Sequence, residues 1–228
     1  MPYQVFNSHA SEYDAWYDTE AGKVIFATEV ACLRPFLQQF PRPYLEVGVG
    51  TGRFAQALDI ECGLDPSPLA LDIARHRGVR VVLGKGENIP FQQASFGGVL
   101  MAMTLCFVRE PGKVLQEIQR VLTTSGGLIL GLLLRGTPWA EFYTRRGLSG
   151  DPWYRNTHFH TKKEIETLLK KTGFSITGYR SSLFQQPGQE VYQEELPVDT
   201  YIPGAWFVAI AASVLKPEPR YPSISDRY

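Results

Sequence analysis

Residues 44–53 read Tyr-Leu-Glu-Val-Gly-Val-Gly-Thr-Gly-Arg, an apolar run followed by three glycines at alternate positions. The apolar run predicts a buried strand, and residues 53–58 after it have the pattern of a helix. Such a turn lies at the carboxyl end of a strand, where α/β sheets bind ligands. Gly48, Gly50 and Gly52 permit positive φ and leave no Cβ between the main chain and a ligand. The stretch therefore predicts a ligand site.

The spacing of these glycines restricts the kind of ligand. The dinucleotide fingerprint GxGxxG requires a glycine at position 53, but the chain has Arg53, and its third glycine comes one place early at Gly52. The GxxxxGK[ST] pattern of nucleoside triphosphate sites is absent as well. A nucleoside without a pyrophosphate remains as the predicted ligand.

A carboxylate follows at the end of the next predicted strand, residues 60–65. Asp65 stands directly before Pro66 and Ser67. A carboxylate at this position can accept hydrogen bonds from both ribose hydroxyls, whereas a 2′-phosphate would be repelled. The alternative is that Asp65 caps the helix predicted over residues 68–76, for which Ser67 is the second candidate.

Short apolar runs alternate with helical patterns between Pro43 and Leu134, which indicates parallel strands joined by helical crossovers. The run over residues 127–134 is apolar at consecutive positions, as expected when helices cover both faces of the sheet. We predict a doubly wound, Rossmann-like α/β fold. The expected parts of a single domain over residues 1–215 are an N-terminal lid and helix at 7–40, a core at 43–134, an insertion at 135–160 and a C-terminal helix and hairpin at 161–215.

The flanking segments carry local signals of their own. A helix is predicted from Lys23 to Phe40, and a capping box at Thr161 and Glu164 begins another, which Gly173 ends. Two apolar runs are predicted as final strands in an antiparallel edge hairpin, and a tail that contains three prolines is predicted to be disordered. The strands cover residues 174–182 and 205–213, and the tail covers residues 216–228.

Composition narrows the class of protein. The chain has 228 residues, 44% of them hydrophobic, which suits one well-buried domain. Lys+Arg 23 balance Asp+Glu 23, so no global field favours nucleic acid or anionic membranes, and we expect neither as a partner. Three cysteines without metal-ligand spacing predict reduced thiols and no metal site. With no signal peptide and no apolar stretch of about 18 residues, a cytoplasmic location is expected.

Four motifs in a fixed order carry a resemblance to a known family. They are EVGVGTG from Glu46, GLDPS from Gly63, GKGENIPF with SFGGVL from Gly84, and EIQRVLTTSGG from Glu117. Together they resemble class I S-adenosylmethionine-dependent methyltransferases, in the small-molecule, type 11-like branch. The resemblance covers about residues 9–180. It implies a mostly parallel seven-stranded sheet, S-adenosylmethionine as cofactor and S-adenosylhomocysteine as product.

The resemblance also implies roles for particular residues. Gly48, Gly50 and Gly52 would lie against the methionine moiety, Glu46 would orient it, and Asp65 would hold the ribose. Two departures stand where the family has aspartates, Lys85 and Gly97. Adenine contacts are therefore expected from the backbone and from apolar walls. The residues expected there are Gly86, Glu87, Pro66, Ile89 and the stretch 101–104 with Met103 and Thr104.

Residues 9–18 are similar to the family's entrance helix, in which tyrosines close over the cofactor. Tyr13 and Tyr17 are spaced to share one helix face. We expect them to contact the cofactor; the alternative is that they pack the helix onto the domain.

The insertion at 135–160 is expected to recognise the acceptor, because it is rich in aromatic residues. His158, His160 and Tyr143 are candidates for a general base, and the histidines alternatively serve as hydrogen-bonding residues of the loop. Arg145, Arg146 and Arg155 would fix an anionic acceptor or remain solvated. The other aromatic residues expected at the acceptor are Trp139, Phe142, Trp153, Tyr154 and Phe159.

The predicted function is methyl transfer to an unidentified small molecule by in-line displacement. Enzymes that methylate a flipped DNA base have an [ND]PP[YF] tetrapeptide where this chain has residues 103–106, Met-Thr-Leu-Cys. Two alternatives stay open: a non-catalytic protein that binds S-adenosylmethionine or S-adenosylhomocysteine, and an NAD-dependent dehydrogenase. The oligomeric state is left open.

Overall fold

The computed structural model describes residues 7–189 and 191–215, so the predicted tail at 216–228 lies outside the described residues. These residues form a seven-stranded sheet with the strand order β3-β2-β1-β4-β5-β7-β6. The strands are β1 Tyr44–Val47, β2 Cys62–Asp65, β3 Arg80–Leu83, β4 Phe96–Ala102, β5 Leu122–Leu133, β6 Phe174–Ser182 and β7 Phe207–Val214. The helices are α1 Ala10–Trp16, α2 Glu20–Leu37, α3 Arg53–Ala57, α4 Pro68–His76, α5 Pro111–Val121, α6 Pro138–Leu148 and α7 Lys162–Lys171.

The strand pairing confirms the predicted fold class. Strands β1 to β5 pair in parallel, and β7 runs antiparallel to both β5 and β6. The hairpin of β6 and β7 thus completes one edge. Strand β1 pairs with β2 on one side and with β4 on the other, so the chain order reverses beside it. Ligands of doubly wound sheets bind at this reversal, where the turn after β1 lies.

Helices cover both faces of the sheet, which explains the consecutive apolar residues in its central strands. Val99 and Leu128 point to one face and share a core cluster with Ile118 of α5. Their neighbours Leu100 and Ile129 point to the other face and pack in the cluster of α2. Burial on both sides of a parallel strand leaves no position for the polar residues of a half-exposed strand.

One helix prediction needs correction, and one helix was not predicted. Helix α2 begins at Glu20 instead of Lys23, because the Thr19 hydroxyl accepts a hydrogen bond from Gly22 N at 3.0 Å and caps it. The segment 135–160, which lacks helical periodicity, nevertheless contains α6. There Thr137 caps the helix and Pro138 occupies its first turn, a local start signal that outweighs the weak apolar pattern.

The capping box of α7 is confirmed: the Thr161 hydroxyl accepts from Glu164 N at 3.2 Å, and a Glu164 carboxylate oxygen accepts from Thr161 N at 2.8 Å. Among the residues that the structure describes, no helix is both long and apolar enough to cross a bilayer.

Candidate functional site

The turn after β1 exposes main chain at the edge of a cavity. Gly50 has a φ of 51°, and a Cβ built on it would meet no atom within 4 Å. Gly48, with a φ of 80°, lies instead against Thr104, whose side chain would be 2.2 Å from such a Cβ. A side chain at position 50 would therefore occupy ligand space, whereas one at position 48 would displace the end of β4.

A cavity of about 440 Å³ opens at the carboxyl ends of β1, β2 and β4. Its size lies within the range of small-molecule sites. It brings together every residue predicted to contact the cofactor except Gly52 and Ile89. Those that line it are Tyr13, Tyr17, Glu46, Gly48, Gly50, Asp65, Pro66, Gly86, Glu87, Met103 and Thr104.

The two exceptions have packing roles. Gly52 is the N-cap of α3, and a Cβ on it would lie 2.9 Å from the Cβ of Ala74 in α4. The third glycine of the turn thus permits close helix packing. Ile89 is buried in the cluster beneath α5 and does not line the cavity.

Asp65 lies at the tip of β2 with its carboxylate fixed by the backbone. One oxygen accepts a hydrogen bond from Gly50 N at 2.9 Å and the other from Ser67 N at 2.8 Å. The helix cap is Ser67, whose hydroxyl accepts from Ala70 N, so Asp65 does not cap α4. Each carboxylate oxygen retains a lone pair for a ligand hydroxyl. Burial raises the pKa of Asp65 to about 6.

Glu46 presents an unpartnered acceptor at the floor of the same cavity. Its side chain is buried in the middle of β1, and its Oε2 atom has no hydrogen-bond partner among the described residues. Burial, reinforced by the nearby charge of Asp65, raises the pKa of Glu46 well above its usual value. A buried acceptor of this kind is satisfied by a ligand that donates a hydrogen bond.

The two departures from the family pattern lie in different places. Lys85 lines the cavity beside Gly86. Gly97, at the beginning of β4, is outside the cavity, and a Cβ there would be 1.8 Å from the carbonyl oxygen of Pro41. Position 97 therefore holds glycine because the backbone after α2 passes directly over it.

Helix α1 is fastened over the cavity by Asp14, which the sequence analysis did not single out. Its carboxylate binds the Arg53 guanidinium through two hydrogen bonds of 2.8 Å and also accepts from Thr51 and Arg77. Although burial opposes ionisation, these donors hold the pKa of Asp14 well below its usual range. The residue that breaks the dinucleotide fingerprint, Arg53, thus anchors the lid.

Helix α1 places two tyrosines between the cofactor cavity and a second cavity. The hydroxyl oxygens of Tyr13 and Tyr17 lie 3.3 Å apart, and both residues line the cofactor cavity and a second cavity of about 250 Å³. Met103 and Phe107 are also shared by the two cavities. We call the second one the aromatic cavity. It is lined by Glu12, Tyr13, Trp16, Tyr17, Ile25, Glu29, Met103, Cys106, Phe107, Leu133, Trp139, Tyr143, Arg146, Trp153, Tyr154, Phe159, Leu183 and Trp206.

Most aromatic residues predicted for acceptor recognition meet in this cavity. The Tyr143 and Tyr154 rings stack with centroids 4.3 Å apart, and Trp139 stacks on Trp206 of the β6–β7 hairpin at 3.7 Å. Phe142 faces away, into a shallow surface depression. The three predicted arginines are all exposed, and of these three Arg146 lines the cavity.

The three candidates for a general base, Tyr143, His158 and His160, lie in different surroundings. Tyr143 lies in the aromatic cavity, where burial raises the pKa of its phenol, so it keeps its proton at neutral pH. His158 and His160 line neither cavity. His158 is exposed and its backbone N–H donates to Cys106 O at 2.8 Å, while burial and the nearby His158 lower the pKa of His160. The buried Nε2 atom of His160 has no hydrogen-bond partner among the described residues.

Sequence reasoning missed Glu29, a buried carboxylate in the wall of the aromatic cavity. The available signal was its position on α2. Ile25, Cys32 and Leu33 lie on the same helical face and are buried, so an acid there interrupts an apolar stripe.

Known proteins share this architecture and sequence. The profile of the methyltransferase domain family matches residues 45–130. The crystal structure of an S-adenosylmethionine-dependent methyltransferase of Thermotoga maritima, described as a possible histamine N-methyltransferase, superposes with a TM-score of 0.86 at 32% identity. The alignment covers 93% of this chain and 99% of that one.

Two further relatives extend the similarity. A demethylmenaquinone methyltransferase of Thermotoga maritima is 31% identical over 170 residues, which are 62% of this chain and 73% of that protein. An uncharacterized protein of Mycobacterium tuberculosis is 49% identical over 211 residues, 92% of this chain and 74% of that protein. The chain belongs to the class I S-adenosylmethionine-dependent methyltransferases. This membership sets aside the NAD-dependent dehydrogenase.

Proposed function

We propose that this methyltransferase acts on a small molecule bound in the aromatic cavity. The observation that carries the proposal is the wall common to the two cavities, formed by Tyr13, Tyr17, Met103 and Phe107. A cofactor in the larger cavity and an acceptor in the smaller one would meet at this wall. Methyl transfer requires such a meeting, because the acceptor atom must stand directly behind the methyl carbon.

The residues of the larger cavity fit S-adenosylmethionine. The carboxylate of Asp65, fixed by two backbone donors, is suited to accept from the ribose hydroxyls. The open side of Gly50 leaves room for the methionine part, and the unpartnered Oε2 of Glu46 offers it an acceptor. The bound cofactor would supply an electrophilic methyl group on a sulfonium.

The protein's own contribution is to position the acceptor and exclude water. Helix α1 covers the boundary and is held there by Asp14. The aromatic side chains offer an apolar surface, which removes water from around a bound acceptor and strengthens the electrostatic interactions within the site. No nucleophile from the protein is needed for the displacement.

The dimensions of the aromatic cavity favour a small acceptor. About 250 Å³ enclosed by aromatic walls accommodates a compact organic molecule, and the balanced charge of the chain offers no field for a polyanion. The relatives bear descriptions as different as "possible histamine N-methyltransferase" and demethylmenaquinone methyltransferase. The acceptor must therefore be inferred from the site.

The two departures from the family pattern give no support to a non-catalytic binding protein. Gly97 lies outside the cofactor cavity, and Lys85 lines it without closing the aromatic cavity.

The test is transfer of a labelled methyl group from S-adenosylmethionine to components of a metabolite extract. Tyr154→Ala removes a wall of the aromatic cavity alone, so we expect loss of labelled product with unchanged affinity for S-adenosylhomocysteine. Phe142→Ala is the matched control, because this aromatic residue of the same segment lies outside the cavity. Equal turnover by both variants would contradict the placement of the acceptor.

A further inference from the structure

Glu29 is a buried acid in the wall of the aromatic cavity. It is 5% exposed, and it extends from α2, whose neighbouring residues on that face belong to the core. No hydrogen bond from the described residues contributes to the pKa of its carboxyl group. Burial alone accounts for its pKa, which is raised to about 8.

The buried carboxyl group of Glu29 reduces the stability of the fold. Burial in the cavity wall removes the Glu29 carboxyl group from bulk solvent and disfavours its charged form, whereas an apolar side chain would continue the stripe of Ile25 and Leu33 without this cost. Glu29 interrupts that stripe where α2 faces a cavity and not another helix. A ligand that supplies the missing donor would repay this cost.

The surroundings of Glu29 select the kind of donor. Aromatic rings form most of the cavity wall, and the faces of such rings attract cations. The charge of Glu29 is felt by Tyr13 and Tyr17, whose pKa values are raised mainly by burial and further by this carboxylate. Glu29 lines the same cavity as these two tyrosines of the shared wall, beside which an acceptor atom must lie.

We propose that the acceptor is an amine carried on an apolar or aromatic body, with its nitrogen held by Glu29. This inference rests on the proposed function, because it names the substrate class of the same site. Glu29 supplies the carboxylate and the rings supply the cation-binding surface.

The chemistry balances with Glu29 as the base. An acceptor that enters as an ammonium ion gives one proton to the Glu29 carboxylate and thereby gains a lone pair. That nitrogen forms a bond to the methyl carbon as the carbon–sulfur bond breaks, and the bonding pair stays on sulfur. The product is a methylated ammonium ion, and Glu29 then releases its proton to water. Burial brings the pKa values of the amine and the acid together, which eases the transfer.

Other titratable groups lie around the cavity that Glu29 lines. Arg146 is paired with Asp151, and Glu12 is paired with His9 at the rim. Burial raises the pKa of each phenol and thiol around the cavity and keeps it protonated. These groups are Tyr13, Tyr17, Cys32, Cys106, Tyr143 and Tyr154.

The experiment is titration calorimetry of the full chain saturated with S-adenosylhomocysteine. The probes are 2-phenylethylamine and two analogues of similar shape, 2-phenylethanol and 3-phenylpropionate. We expect the amine to bind about tenfold tighter than the alcohol, because a charge-assisted bond and cation–π contacts add to the burial of the ring. Since Glu29 is protonated in the empty cavity at pH 7, amine binding should also release a proton, measurable in buffers of different ionisation enthalpy.

Two variants separate recognition from folding. Glu29→Gln should remove both the preference for the amine and the proton release while it keeps the affinity for S-adenosylhomocysteine. Glu20→Gln, the same change at an exposed position of α2, should keep all three. Mass spectrometry of the amine after incubation with S-adenosylmethionine should show methyl on nitrogen.

The outcomes distinguish the two proposals. If the wild type binds the amine no tighter than the alcohol, or if Glu29→Gln keeps the preference, the amine proposal is overturned, although methylation of another acceptor would leave the proposed function intact. If the wild type fails to bind S-adenosylhomocysteine, the proposed function fails and the amine proposal fails with it.

Discussion

The carboxylate of Asp14 and the guanidinium of Arg53 form a bidentate pair, with both nitrogen–oxygen distances at 2.8 Å. The pair joins α1, which covers the cofactor cavity, to the first residue of α3, directly after the glycine turn. Asp14 also accepts from Arg77 at 2.7 Å, so two cations share one buried carboxylate. The lid is therefore attached to the loop that it covers.

Asp14→Asn should destabilise the protein and weaken cofactor binding. The substitution leaves two partly buried guanidinium groups without their counter-charge, and we expect a loss of about 2 to 4 kcal/mol in the free energy of unfolding, measured in urea. Asp18→Asn is the control, because Asp18 meets the same Arg53 at an exposed position and its replacement should cost much less stability. Equal losses of unfolding free energy in the two variants would show that the buried pair of Asp14 and Arg53 stabilises the protein no more than the exposed pair of Asp18 and Arg53.

The affinity for S-adenosylhomocysteine should depend on the ionisation of Asp65. In the free protein its pKa is about 6, and ribose hydroxyls that donate to the carboxylate would lower that value in the complex. Affinity should therefore be constant above about pH 7 and fall by up to tenfold per pH unit below about pH 6. Calorimetry between pH 5 and pH 8 measures this.

The amide variant is the reference for that titration. Asp65→Asn should bind S-adenosylhomocysteine more weakly by about 1 to 3 kcal/mol and show a flat pH profile over the same range. A wild-type profile retained in the folded variant would place the ribose elsewhere.

Gly50→Ala should impair cofactor binding more than folding. The new methyl group would project into the cavity from a residue with a φ of 51°, and the strained backbone should cost about 1 to 2 kcal/mol of stability. Gly78→Ala is the matched control. Gly78 also has a positive φ and open space around it, but it lies outside the cofactor cavity. We expect similar unfolding midpoints for the two variants and a loss of S-adenosylhomocysteine affinity in Gly50→Ala alone.

Gly97→Ala should destabilise the fold without an effect specific to the cofactor. A Cβ at position 97 collides with the Pro41 carbonyl, so the backbone must shift at a cost of about 1 to 3 kcal/mol. Urea unfolding gives the loss. A variant as stable as the wild type would contradict the close approach of these two segments.

Local patterns predicted the parts of the site that lie within one strand and its turn. The glycine turn, the acid at the tip of β2 and the capping box of α7 each depend on residues a few positions apart. The edge hairpin, by contrast, was predicted from two apolar runs with the length and composition of strands. The role of Gly52 was assigned to the ligand because the sequence does not contain the approach of α4, whose Ala74 lies beside it.

Contacts between distant segments explain what was missed. Asp14 and Arg53 are 39 positions apart, and nothing near either residue predicts their pairing. Trp206 lines the aromatic cavity from the residue directly before β7, and it meets Trp139 only because β7 inserts beside β5. The histidines of the insertion looked suited to catalysis by residue type, but the loop directs them away from both cavities.

The wall that separates the two cavities, formed by Tyr13, Tyr17, Met103 and Phe107, has a thermodynamic consequence. A ligand in either cavity that orders these four side chains also orders part of the wall of the other cavity. Binding in one cavity therefore changes the affinity of the other cavity for its own ligand. By linkage the effect is reciprocal: the factor by which S-adenosylhomocysteine tightens an acceptor analogue must equal the factor by which the analogue tightens S-adenosylhomocysteine.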